Sequence, residues 1–247
     1  MMKAISCLTI ISLFAAVLTP NAMAVWDPGE NISMVFVEVS DGQETGTFAQ
    51  FFPPGPAKNE YRWSLPEAAM INSQGTGKAM ATINSLEVKY IADPVVDLNF
   101  AVTAGNSDTS FTITTAILSF DALLNPDAYA TAAVTLTDLN NNGASIDGLL
   151  DGDKIYQALA NGTPWAILVD SFTAGIGDSE IGKERSPATA PDWGTIAGSV
   201  TGIQTQFSFT LSAYDSASAT SHFEVVVPEP ATLALLALGG LAIRKRK

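Results

Sequence analysis

The sequence predicts an all-β fold, an antiparallel β-sandwich of jelly-roll or immunoglobulin-like type. Three observations support this. Thr, Val, Ile, Phe and Ala recur with a period of two along most of the chain. Gly, Pro, Asn and Asp cluster between these runs, and no long amphipathic helix or βαβ rhythm interrupts them. Side chains in a strand point alternately to opposite faces, so a period of two buries one face and wets the other. Many such strands without crossover helices pack as two antiparallel sheets.

In chain order, the alternation places strands from Ile32 to Val39, Thr45 to Phe52, Ala79 to Ile83, Leu86 to Ile91, Val95 to Ala104 and Ser110 to Phe120. Further strands run from Ala128 to Leu139, Lys154 to Leu159, Trp165 to Phe172, Thr201 to Ala213 and Ser218 to Val227. Pro66-Glu67-Ala68-Ala69-Met70 reads as one short helical turn. Phe51 to Pro56, stiffened by three prolines and followed by Tyr61 and Trp63, reads as irregular. Ala174 to Gly198 reads as a long loop carrying Glu180, Lys183, Glu184, Arg185 and Trp193. Phe100-Ala101-Val102-Thr103-Ala104 echoes Phe209-Thr210-Leu211-Ser212-Ala213, each followed by a polar turn and another strand, which suggests two similar hairpins.

The two ends have a different character. Lys3, the apolar run from Ile5 to Leu18 and the small residues Ala22 and Ala24 around Met23 form a signal peptide, residues 1–24, with maturation expected at Val25. At the other end, Pro228-Glu229-Pro230 precedes an apolar run from Ala231 to Ile243 and the basic cluster Arg244-Lys245-Arg246-Lys247. As a helix, residues 231–243 would span roughly 20 Å against a hydrocarbon core of about 30 Å, a short membrane segment. The prolines bound it, and the cations hold its end on the cytoplasmic side. A single β-sandwich domain, residues 25–227, lies between.

Composition narrows the function classes. The whole chain has a net charge of −13 from 12 basic and 25 acidic residues. Setting aside Lys3, the four terminal cations and Glu229 leaves 7 and 24, a net charge of −17 for the body. Nucleic acid is therefore not an expected partner, since phosphate binding needs a basic face. The one cysteine, Cys7, lies in the signal peptide, so the mature chain has neither a disulfide nor a catalytic thiol. The one histidine, His222, stands opposite Phe223 in an alternating segment, the place of a solvent-facing strand residue, and a multi-histidine zinc site is excluded.

Asp138-Leu139-Asn140-Asn141-Asn142-Gly143 has the opening pattern of a calcium loop, with Asp138, Asn140 and Asn142 at oxygen-ligand spacing. Its second half departs from the pattern, because Leu149 stands where a bidentate glutamate belongs. Asp147, Asp151 and Asp153 could close an irregular cage, and the alternative is an Asn-rich turn. A glycoside hydrolase needs only two placed carboxylates, and no pair among the acids stands out. Gly75-Thr76-Gly77-Lys78 lacks the spacing of a phosphate loop and reads as a turn.

Val227-Pro228-Glu229-Pro230-Ala231-Thr232, the short apolar helix with Gly239-Gly240 and the terminal Arg244 to Lys247 together resemble the PEP-CTERM sorting signal of Gram-negative bacteria. The resemblance covers about a tenth of the chain. It implies sorting and processing near Pro228-Glu229-Pro230 by an exosortase, after signal peptidase has acted at the other end. It also implies transient inner-membrane anchoring, then a place at the cell surface or in an extracellular polysaccharide matrix. The expected function is that of an exported, non-enzymatic surface or matrix protein without a required cofactor. The alternatives are a carbohydrate- or calcium-binding sandwich module and a carboxylate-dependent glycoside hydrolase.

Overall fold

The computed structural model describes residues 33–53, 60–188 and 193–226. The expected signal peptide, the Pro-Glu-Pro motif and the expected helix over residues 231–243 lie outside the described residues. Within them the chain forms 17 strands and no helix. The first are β1 (Ser33–Ser40), β2 (Thr45–Phe51), β3 (Glu60–Ser64), β4 (Ala69–Asn72), β5 (Ala79–Ile91) and β6 (Val95–Ala104). Next come β7 (Thr109–Thr115), β8 (Leu118–Leu124), β9 (Asp127–Thr137), β10 (Ala144–Gly148), β11 (Lys154–Ala160) and β12 (Thr163–Asp170). The last are β13 (Phe172–Ala174), β14 (Ser179–Ser186), β15 (Gly194–Thr195), β16 (Ser199–Leu211) and β17 (Ser216–Val226).

These strands build two antiparallel sheets that face each other as a sandwich. The first runs β12-β11-β16-β7-β1-β2, with β8 and β10 also against β16 and β13 against β10. The second runs β14-β9-β17-β6-β5-β3, with β15 against β9 and β4 against β5. Alternation is most regular in the central strands: β7 buries Phe111 and Ile113, β6 buries Val96, Leu98, Phe100 and Val102, and β9 buries Ala130, Val134 and Leu136. Phe207 and Phe209 of β16 project inward to meet Phe100 from the opposite sheet, with ring centroids 5.0 and 6.2 Å apart. Small alanines on β9 and β17 leave room for these rings.

Near the edge of the core a buried tyrosine clamps the sheets together. Tyr90 of β5 reaches across, donates its hydroxyl to the carbonyl of Met34 and accepts the N–H of Ala116 at 2.8 Å. Met34 lies in β1 and Ala116 directly follows β7, so one side chain satisfies two backbone polar groups from the opposite layer. Burial pushes the Tyr90 phenol well above its ordinary value.

Several expectations change in the folded chain. Residues 79–91 form one strand rather than two, because a register shift between Ile83 and Ser85 absorbs Asn84 as a bulge. The run Ser110 to Phe120 divides into β7 and β8, which pair with different parts of β16. The run Trp165 to Phe172 likewise breaks into β12 and β13, beside Val169 in the left-handed region at φ 67°. Residues 66–70 are not a helical turn: β4 extends along β5, whose ladder supplies the hydrogen bonds that one isolated turn cannot. The expected loop from Ala174 to Gly198 contains β14, paired with β9 from Ser179 to Ser186. As an edge strand it carries charge on positions that a central strand keeps apolar, which hides it from a periodicity reading. Gly182 lets β14 close over the seam between the sheets, since an added Cβ would lie 2.8 Å from the Phe172 ring.

The two echoing segments are corners rather than hairpins. β6 and β7 belong to opposite sheets, as do β16 and β17. β6 pairs with β17 and β7 with β16, so the two arches lie antiparallel to one another. At the bend, Ala104 N–H donates to the Asp215 carbonyl and Tyr214 N–H to the Gly105 carbonyl. Ala213 N–H donates to Asp108 Oδ1 at 3.0 Å. The registers put these corners at one end of the sandwich, and the chain's entry at Ser33 and exit at Val226 at the other.

Candidate functional site

Of the residues the sequence singled out, Ala22, Ala24, Pro228, Glu229, Pro230 and Arg244 to Lys247 lie outside the described residues. Asp138, Asn140 and Asn142 are brought together at the corner end, where β9 passes to β10. The Asp138 carboxylate is turned inward and is 6 % exposed. Its Oδ1 accepts the N–H groups of Asn140 at 3.1 Å and Asn142 at 3.4 Å. Its Oδ2 accepts those of Gly143 at 3.0 Å and Gly177 at 2.7 Å. The Gly177 N–H, then those of Gly143, Asn140 and Asn142, hold the Asp138 pKa down at about 2 against the opposing effect of burial. Asn140 donates to the Ala213 carbonyl at 2.8 Å and accepts the Asn142 N–H at 3.1 Å.

This is the donor set of an anion nest, built around a carboxylate the chain itself supplies. Four N–H groups point where a bound cation would have to sit. Asp147 stands on β10 opposite Thr210, and Asp151 and Asp153 occupy the turn before β11. Among the described residues, no group of three or more His, Cys, Asp and Glu side chains has metal-binding geometry. The loop ties the 138–143 and 175–178 turns to the β16–β17 corner. Gly177 was not legible as a partner of Asp138, because 39 residues separate them.

His222 lies on the outer face of the second sheet, in register with Asp97 of β6. Nδ1 is 2.6 Å from Asp97 Oδ1, and Nε2 is 3.2 Å from Glu224 Oε2. The Tyr129 ring stands 6.2 Å from the imidazole, and Trp193 is 6.0 Å beyond it. Asp97, supported by Glu224, raises the His222 pKa above its ordinary 6.5, while partial burial opposes the shift. Stability from this pair is complete below about pH 6.5 and is lost as pH rises through the higher folded value. With the side chain 35 % exposed, the effect is screened and modest. Melting temperature should fall measurably between about pH 6 and pH 9, and His222→Gln should flatten that dependence. A wild-type curve already flat over the same window would contradict it.

A further group of carboxylates sits at the seam between the sheets. A shallow cleft of about 230 Å³ there is lined by Asp170, Phe172, Glu180 and Glu184. Lys154 Nζ lies 3.0 Å from Asp170 Oδ1 and 3.0 Å from Glu184 Oε1. Partial burial pulls the Lys154 amine down, but the two carboxylates more than offset this and raise it. The same ammonium lowers the Asp170 pKa. A glycosidase acid must instead hold its proton near neutrality. The cluster therefore works as a stitch between β11, β12 and β14.

The outer face of the first sheet has a different surface. On β7 and β16, facing hydroxyls pair across the strands: Ser110 with Thr210 at 2.9 Å and Thr112 with Ser208 at 3.2 Å. Gln206 donates to Thr114 at 3.2 Å and accepts from Gln157 of β11. Gln204 donates to the Thr115 carbonyl at 2.6 Å. Register sets this ladder, so no spacing in the sequence announces it.

No curated protein matches the chain. Among solved structures, it is similar to the adhesin domain of Epf from Streptococcus pyogenes at 9 % identity and a TM-score of 0.32. That alignment covers 81 % of this chain and 60 % of the adhesin domain. The isomalto-dextranase of Arthrobacter globiformis T6, solved with panose, aligns at 10 % identity and a TM-score of 0.21, covering 76 % of this chain and 32 % of the enzyme. The VP2 subviral particle of infectious bursal disease virus aligns at 11 % identity and a TM-score of 0.14, covering 88 % and 87 %. Residues 226–247 match the model of the PEP-CTERM protein-sorting motif.

Proposed function

We propose, from the PEP-CTERM sorting motif that residues 226–247 carry, that this chain is an exported surface or matrix protein processed at both ends. Signal peptidase removes residues 1–24, and an exosortase acts at Pro228-Glu229-Pro230 while the short apolar run and Arg244 to Lys247 hold the precursor in the inner membrane. The mature body then reaches the cell surface or an extracellular polysaccharide matrix.

The observation that carries this reading is the motif's position directly after β17. That strand is paired with β6 as far as Glu224 and with β9 to its last residue, Val226. The motif thus begins at the last residue of β17, and processing at Pro228-Glu229-Pro230 removes none of the described core.

A non-enzymatic role is supported by the state of the polar side chains. Both nitrogens of His222 are engaged by carboxylates, and Lys154 holds the Asp170 carboxyl at the seam below its ordinary value while also pairing with Glu184.

Intact-mass measurement on fractionated cells tests the proposal. The exported protein is expected to begin at Val25 and to lack the residues beyond the Pro-Glu-Pro motif. Deleting residues 228–247 should abolish both membrane retention of the precursor and the C-terminal trimming, while the body still folds. Exported wild-type protein still ending at Lys247 would overturn the sorting role.

A further inference from the structure

We propose that the outer face of the first sheet, across β11, β16 and β7, is a docking surface for a neutral polysaccharide chain. Its charge pattern is the first reason. Along the paired stretches, 157–159 of β11, 204–210 of β16 and 110–114 of β7, the outward side chains are serine, threonine, glutamine and one leucine, Leu159, on a body with 24 acidic and 7 basic residues. Carboxylates appear only at its margins, with Glu38 on β1 opposite Thr112 and Asp147 on β10 opposite Thr210.

Chemistry narrows the occupant. An anionic polymer is repelled by the body's net charge of −17, and so is a second copy of the chain. An apolar partner would strip water from hydroxyl and amide groups without replacing its hydrogen bonds, at about 1–3 kcal/mol for each group left unmade. A neutral polymer rich in hydroxyls meets neither obstacle, since each of its hydroxyls can donate and accept.

The face is also ordered before anything binds. The hydroxyl pairs and the Gln157–Gln206–Thr114 chain fix side-chain orientation, while each hydroxyl keeps hydrogen-bonding capacity toward solvent. Less conformational freedom is then lost on binding. Phe36, 36 % exposed and in register with Thr114, places an aromatic ring beside the ladder against which the apolar face of a sugar can pack. This inference rests on the face alone. Failure of sorting would leave it standing, and failure of binding would leave the export proposal intact.

Affinity electrophoresis of the exported protein tests it, with dextran, amylopectin, galactomannan or hydroxyethylcellulose cast in the gel and alginate as the anionic control. Retardation by at least one neutral polymer and none by alginate is expected. Thr112→Glu should weaken the retardation about tenfold or more, equivalent to at least ~1.4 kcal/mol. Thr112→Val, which keeps the side-chain shape and should melt like wild type, should weaken it less. Four outcomes would each overturn the proposal: no retardation in any neutral gel, undiminished binding by Thr112→Glu, retardation by alginate, or a sedimenting dimer that Thr112→Glu dissociates.

Discussion

Replacing Phe209 by alanine should destabilise the protein by about 3–5 kcal/mol, the range for removing a fully buried phenylalanine from a packed core. Phe209 is 0 % exposed and stacks on Phe111 at 5.4 Å in its own sheet and on Phe100 at 6.2 Å in the other. Phe100 in turn meets Phe207 edge-on, and Phe207 meets Tyr156 at 4.9 Å. Truncation leaves a void at the point where both sheets and both arches meet, and flanking strands held by ladders on each side have little freedom to collapse into it. Phe209→Leu, which retains much of the volume, should cost less than about half as much. Urea denaturation reads both directly. A loss below about 1 kcal/mol for alanine would show that the sheets do not pack on this ring.

Asp138→Ala should produce the largest loss of stability among the loop substitutions, seen as a fall of several degrees in melting temperature. The N–H groups of Asn140, Gly143 and Gly177, from two separate turns, lose their acceptor at once, and that of Asn142 keeps only Asn140 Oδ1, so the tie between the turns is lost. Hydrogen exchange should accelerate at Asn140, Asn142, Gly143 and Gly177, while the β6–β17 ladder stays protected. Asp138→Asn should be intermediate, because one oxygen remains while its amide group faces donors.

Acid adds a second reading. The folded pKa is lowered to about 2, so the carboxylate's stabilising effect is present above its ordinary 3.8 and is lost as pH falls from there toward 2. Asp138→Asn should remove that part of the acid sensitivity. Calcium separates the nest from the cation loop that the sequence suggested. A self-supplied carboxylate needs no metal, so calcium should leave the wild-type melting temperature unchanged. A rise in wild type that is absent from Asp138→Asn would restore the metal reading.

Strand character was legible wherever one face is buried and the other wet. Val95 to Ala104 was placed from end to end, and β9, β11, β16 and β17 to within two residues at each end, because period-two burial writes itself directly into composition. β3 and β14 were missed for the converse reason. Edge strands face solvent along one side and carry charges such as Arg62, Lys183 and Arg185 at positions where a central strand would show a clean pattern.

The Asp138 turn was recognised as a turn, but its partner donor on Gly177 lies on another loop, and no local pattern encodes that contact. Likewise, His222 was seen as a strand histidine without its Asp97 partner, 125 residues away, because strand register supplies that contact. The pairing of Ser110 with Thr210 and of Thr112 with Ser208 has the same origin.

Local covalent order was enough for the acidic, all-β character of this chain and for the PEP-CTERM motif at residues 226–247. A Pro-Glu-Pro motif and a two-residue period are each written over a few consecutive positions. Folding in three dimensions decided which strands are neighbours, that the echoing segments are paired arches, that Asp138 caps two loops and that one sheet presents an uncharged ladder. Those features depend on contacts between residues tens to more than a hundred positions apart. Only the pairing of strands in space brings such residues within hydrogen-bonding distance.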